Sequence, residues 1–384
     1  MWRHIASNGL TFLAVGMFLL GGIVLWGQRQ YNAEGPLEQT ICVRVESGSN
    51  MDAVSRDLVA QGAVSSGAIF RIGSDYADKS SLLKAGSFLV EPGASMEEVV
   101  DAITRGGAST CGTEVVYRVG VARMNVLVRE LDPATNRFVE RASFDPADDP
   151  VPELYTEKRA DSDTRYRVAL AEGVTSWQVV DSLKAMDVLS GELPEIPPEG
   201  SLAPDSYDLT ANMERADVLA QMQVAQDARI SQVWQSRADN LPLADTEDLL
   251  KLASIIEKET GVPEERRQVA SVFVNRLNRG MRLQTDPTVI YGVTGGKGSL
   301  GRGLRQSELR KSTPWNTYVI EGLPETPIAN PGLASLEAAA NPDTTGFVFF
   351  VADGTGGHAF AETLGEHNAN VARWRKIEAE RSGN

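Results

Sequence analysis

Apolar residues dominate the start of the chain and then settle into short repeated patterns. No charged residue occurs from Ile5 to Gly27, and the run LTFLAVGMFLLGGIVLW fills positions Leu10 to Trp26. A helix through this stretch reaches roughly 30 Å, enough to cross the hydrocarbon of a bilayer. A cleaved signal peptide is the competing reading, with Arg3 as its short basic start. The run is long for that role, and no small-x-small site precedes Gln28-Arg29-Gln30, so the pattern favours an uncleaved anchor. Arg3 before the span and Arg29 after it leave its orientation open.

Three later segments share one pattern. Gly48, Gly93 and Gly173 each follow a β-rich stretch, ICVRVESG, SFLVEPG and YRVALAEG. Each glycine is followed at the same offsets by an apolar pair four residues apart: Val54 and Leu58, Val99 and Ile103, Val179 and Leu183. Such pairs fall on one helix face, so the unit predicted is strand, glycine turn, short helix. Between the second and third units, MNVLVRELDPATNRFVERASF alternates about a DPATN turn and reads as a hairpin. The polar, Pro-rich DPADDPVPELYTEKRADSD after it reads as a loop.

Beyond Leu209 a helical stretch carries Val218, Met222, Ala225 and Ile230 on its apolar face, with Met222 and Trp234 expected in the core. In LLKLASIIEKET, Leu249, Leu252, Ala253 and Ile256 form a buried stripe on a helix capped at Asp245 or Thr246 and stopped by Gly261 and Pro263. Glu257 sits at the edge of that stripe, where partial burial favours a protonated carboxyl able to act as a general acid. A solvated, ion-paired glutamate is the plain alternative. Glu259, about 200° further round the helix, is expected to face water. On the next helix Asn275 and Arg276 fall off the Val269, Val272, Phe273, Leu277 stripe, free to reach a groove or solvent. GFVFFVADG reads as a continuous buried strand.

The expected fold class is α+β. Its parts are an N-terminal segment 1–9, a transmembrane helix over 10–26, an α+β region over 41–210 with an insertion at about 119–160, a connecting helix 211–244 and a second α+β domain 245–384.

Charge narrows the function. With 37 Lys and Arg against 52 Asp and Glu, the net charge of −15 argues against nucleic acid, whose binding needs clustered cations. His358 and His367 lack the i, i+4 spacing of an HExxH zinc site, and no GxSxG elbow or P-loop occurs. Neither a metal nor a cofactor is expected, which leaves carboxylates as the chemistry. Polar loops carrying aromatics, MRLQTDPTVIYG, STPWNTY and IANPG, suit a sugar site but also suit ordinary turns.

ASIIEKET, VASVFVNRL, MRLQTDPTVIYG, TPWNTY, EGLPETPIANPGLASLEAAANP, FVFFVADGTGGHAF and ETLGEHN, with EGSLAPDSY upstream, closely resemble the MltG (YceG-like) endolytic murein transglycosylases. The glycine-turn units resemble that family's LysM-like region. The resemblance implies a single-pass inner-membrane anchor and a catalytic domain over 245–384 in the periplasm. It also implies cleavage between N-acetylmuramic acid and N-acetylglucosamine within nascent glycan strands, leaving 1,6-anhydro ends, with peptidoglycan synthases as partners. The catalytic glutamate of the family's motif falls on Glu257. Asn275, Gln284, Asp286, Tyr291, Asn316 and Tyr318 are the residues expected to orient Glu257 or the sugar. Two departures are the longer hairpin insertion and the absence of an aromatic in Ser201-Leu202-Ala203. A hydrolytic muramidase using the same site and a non-enzymatic glycan-binding scaffold are the alternatives. Asp286 is the second carboxylate that hydrolysis would call on.

Two cysteines remain. Cys42 opens the first strand and Cys111 lies past the helix of the second unit, so they bracket one module. In an oxidising compartment they are expected to pair, against the alternative of two separately buried thiols.

Overall fold

The computed structural model describes residues 2–105, 109–161 and 163–382, without the side chains of residues 2–10, 12 and 382. The chain is mixed α+β and divides into two compact units. The first comprises residues 1–115, 127–143 and 151–165; the second comprises 116–126, 144–150 and 166–384.

In the first unit, helix α1 covers Trp2–Asn32. Leu13, Phe18, Leu20, Ile23 and Trp26 stand exposed along it. Among the described residues no helix is long and apolar enough to cross a membrane. The expected span begins at Leu10, and the side chains of Leu10 and Phe12, with those of the preceding segment 1–9, lie outside the described set. Strand β1 (Ile41–Val45) pairs antiparallel with β2 (Gly86–Val90), Val43 opposite Phe88. Helices α2 (Met51–Ala60) and α3 (Gly67–Tyr76) lie between them in sequence, with α4 (Met96–Thr104) after. Val54, Leu58, Val99 and Ile103 are buried in one apolar core with Val43, Phe70 and Phe88. Cys42 and Cys111 form a disulfide, their Cα atoms 6.0 Å apart.

A five-stranded sheet follows. Strands β3 (Thr113–Val119), β4 (Met124–Asp132), β5 (Arg137–Phe144), β6 (Arg165–Leu170) and β7 (Ser206–Leu209) are ordered β5-β4-β3-β6-β7. The hairpin insertion is therefore β4 and β5. The segment after it is not all loop: α5 covers Glu153–Ala160, with Tyr155 buried. One apolar anchor in a polar turn of chain is enough to hold a short helix, and composition alone hid it.

Each glycine turn has the geometry its sequence requires. Gly48, Gly93 and Gly173 adopt φ of 82°, 72° and 78°, the left-handed region that costs a side chain energy and glycine little. After each, a capping side chain opens the helix. Asn50 and Ser95 accept from the backbone ahead of α2 and α4, and Thr175 does so before α6 (Ser176–Ala185).

The second unit is mainly helical: α7 (Arg215–Gln235), α8 (Thr246–Glu259), α9 (Arg266–Asn278), α10 (Asp286–Thr294), α11 (Gln306–Arg310), α12 (Leu333–Ala340) and α13 (Leu364–Ser382). Asp245 caps α8, accepting from the amides of Glu247 and Asp248 at 3.0 Å each. Helices α7, α9, α10 and α12 all contact α8, and Leu249, Leu252, Ala253, Ile255 and Ile256 are fully buried there. Met222 is likewise buried, and Trp234 packs at the edge of the same core. The buried strand expected over 346–354 is shorter and half-buried: β8 (Phe349–Ala352) pairs with β9 (His358–Ala361) as a two-stranded hairpin.

Candidate active site

The last turn of α8 carries Glu257, half-buried beside the core residue Ile256. Its Oε2 accepts the backbone N–H of Gly332 at 3.0 Å. Gly332 is the N-cap residue of α12, so the carboxylate lies at the positive end of a helix dipole. Lys258, next along, donates from Nζ to the carbonyl of Gly173 at 3.1 Å. Burial lowers its proton affinity, while the charges of Glu257 and Glu199 oppose that.

The third glycine turn approaches the same place. A Cβ added at Gly173 would lie 3.6 Å from Cγ of Glu257. A Cβ added at Gly332 would lie 1.8 Å from Oε1 of Glu172. Glu172 is thus beside the glycine that holds Glu257. Burial of its carboxyl and then the charge of Glu257 push it above the usual carboxylate range, with Arg266 and Arg229 acting the other way.

Asn330, fully buried, ties these segments together. Its carbonyl accepts from Gly173 N–H at 2.9 Å, its side-chain amide donates to the carbonyl of Val174 at 3.0 Å, and its Oδ1 accepts from Leu202 N–H at 2.9 Å. The IANPG loop singled out in the sequence is therefore a buried bracket. Glu199 sits behind, accepting from Ser176 N–H at 2.8 Å and from the Tyr291 hydroxyl at 3.1 Å. Burial pushes both Glu199 and Tyr291 upward.

A second carboxyl cluster lies at the other side of the helix end. Glu259 does not face water: it accepts from the Thr285 hydroxyl. Burial raises its proton affinity despite that bond. The error has a physical cause, since α10 packs against α8 and brings Thr285 to Glu259. Asp286 accepts from the Tyr318 hydroxyl at 2.7 Å, and burial followed by that bond pushes Tyr318 up.

The residues expected to orient the site therefore separate. Tyr291 reaches Glu199, whereas Asp286 and Tyr318 pair beside Glu259. Gln284 is exposed in left-handed backbone (φ 49°) and donates its amide N–H to Thr317. Asn275 gives its side-chain donors to the carbonyls of Thr345 and Phe347 at 2.9 Å each. Asn316 gives its own to Glu308, Leu309 and Lys311. Arg276 is buried rather than reaching solvent, donating to the carbonyls of Val348 at 2.7 Å and Leu283 at 2.6 Å. Among the described residues no three His, Cys, Asp or Glu are grouped to hold a metal ion. Glu172 and Asn330 were missed. The position of Glu172 beside the third repeated glycine was the available signal.

The fold and site together define an α+β protein in which carboxyl groups converge where the end of one buried helix meets the start of another. The profile of the YceG-like family matches residues 146–373, more than half of the chain, and the chain belongs to that family. It is 26% identical over 351 residues to the endolytic murein transglycosylase of Bacillus subtilis (strain 168), covering 91% of this chain and 89% of that one. The endolytic murein transglycosylase of Streptococcus pneumoniae serotype 2 (strain D39) is 27% identical over 383 residues, covering 96% of this chain and 65% of its own length. A crystal structure of a yceG-like protein from Listeria monocytogenes aligns with a TM-score of 0.46 and 24% identity, over 86% of this chain and 99% of that one.

Proposed function

We propose that the protein is an endolytic murein transglycosylase that cuts between N-acetylmuramic acid and N-acetylglucosamine within glycan strands. The observation that carries this reading is the alignment with two relatives bearing that name over nearly the whole chain. Within the family match, Glu257 lies at a helix end with a free edge, as a general acid needs. Glu257 protonates the departing glycosidic oxygen as an oxocarbenium-like centre develops at C1. The muramoyl 6-hydroxyl then closes a 1,6-anhydro ring, and no water is consumed.

In this reading residues 10–26 anchor the chain in the inner membrane, with the catalytic part in the periplasm. The exposed apolar face of α1 supports the anchor, and the Cys42–Cys111 disulfide suits an oxidising compartment. The strand–turn–helix units serve as LysM-like glycan-binding modules, and peptidoglycan synthases that supply nascent strands are the natural protein partners. The test is mass spectrometry of purified glycan strands treated with the full-length protein in heavy-oxygen water. Unlabelled 1,6-anhydro ends are expected. Labelled reducing ends would make the protein a muramidase, and intact strands would make it a binding scaffold.

A further inference from the structure

We propose that Glu172 is a second catalytic carboxylate, the base that takes the proton of the muramoyl 6-hydroxyl while Glu257 protonates the leaving oxygen. This rests on the transglycosylase reading and divides between two residues the work that one carboxyl would otherwise do twice. Both carboxylates meet Gly332 from different sides. One accepts its N–H at 3.0 Å, and the other lies 1.8 Å from where its Cβ would be. With standard backbone dimensions joining those two contacts, the carboxyl groups lie within roughly 7 Å of each other. Carboxyl groups no further apart than this can both reach one sugar centre.

The other nearby acids are already committed. Glu199 is bonded to Ser176 and Tyr291, Glu259 to Thr285, and Asp286 to Tyr318. Glu172 keeps access to solvent although its carboxyl is partly desolvated, and among the described residues no hydrogen-bond donor is placed on its oxygens. The charges acting on it are Glu257 on α8, Arg266 at the start of α9 and Arg229 on α7. Burial and then the charge of Glu257 raise the proton affinity of Glu172, and Arg266 and Arg229 act the other way.

The step balances. The O6–H proton passes to Glu172, O6 bonds to C1, the C1–O bond to N-acetylglucosamine breaks, and its oxygen takes the proton of Glu257. After release Glu172 holds a proton and Glu257 lacks one, and water relays it across the short gap. A Cβ at Gly332 would meet the end of the Glu172 side chain and displace its carboxyl.

The test is kcat and KM against pH for the full-length enzyme on glycan strands, comparing wild type, Glu172→Gln, Glu172→Ala with and without formate, and Gly332→Ala. Glu172→Gln should lose about 10²-fold in kcat with KM little changed, and its profile should lose the acid limb. Formate should restore part of the activity of Glu172→Ala. Gly332→Ala, which displaces the flexible end of Glu172, should weaken the acid limb in the same way and covers the case of a Glu172 variant that fails to fold. An unchanged kcat and acid limb in these variants overturns the proposal, as does a loss of rate with the limb intact and no rescue. Wild-type enzyme that makes no anhydro ends overturns the transglycosylase reading itself, and the role of Glu172 with it.

Discussion

Glu257 and Glu259 lie two positions apart on α8 and meet different surroundings, so single substitutions separate them. Glu257→Gln should keep the melting temperature and lose about 10²–10⁴-fold in rate, measured by release of anhydro ends. Retention of more than a tenth of the activity would remove Glu257 from the acid's role. Glu259 is held above its ordinary proton affinity by burial, and the sign for stability follows. At low pH both folded and unfolded chains hold this proton, and the group contributes nothing against folding. As pH rises past the ordinary carboxylate range the unfolded chain releases its proton first, so stability falls until the folded group ionises as well. Glu259→Gln should flatten that decline, so thermal melts between pH 4 and 8 should show the variant gaining on wild type as pH rises. An identical slope in the two proteins would count against a buried, proton-holding Glu259. A helical wheel exposes the Glu257 edge because the stripe beside it is local in sequence. The surroundings of Glu259, Arg276 and Glu172 are set by segments 26, 72 and 160 positions away, and periodicity carries none of that.

Helix α8 is the element on which the site depends. Leu252 is fully buried within its packing core, and Leu252→Ala should cost about 2–5 kcal/mol, read from urea denaturation with an unchanged slope. A loss under 1 kcal/mol would mean that the helix does not rest on this core. Elements of this kind were legible in advance, because the cap at Asp245, the stripe and the stop at Gly261 follow one another closely along the chain. The three strand–glycine–helix units were legible for the same reason, down to the left-handed turns at Gly48, Gly93 and Gly173. Short elements with one buried contact were not. Tyr155 anchors α5 in a stretch whose composition reads as loop, and β8 is half-covered although its sequence is almost wholly apolar.

Across the whole molecule, long sequence separations are closed by a few contacts. The Cys42–Cys111 bridge closes a loop of 69 residues, and replacing both cysteines with serine should cost about 4 kcal/mol in the chain-entropy model. Thiol labelling of the unfolded, unreduced wild type should find no free thiol, and two reactive thiols would contradict the bridge. The bracket at Asn330 spans 156 residues to Val174 and 128 to Leu202, and Glu257 waits 75 residues for Gly332. At synthesis rates of 5–20 residues per second that wait lasts about 4–15 s. Through that interval the emerging chain already holds both acids, yet lacks the glycine and the asparagine that fix their positions. The order of residues along the chain is thereby a timer: the cutting edge is assembled only after Asn330 and Gly332 have been made.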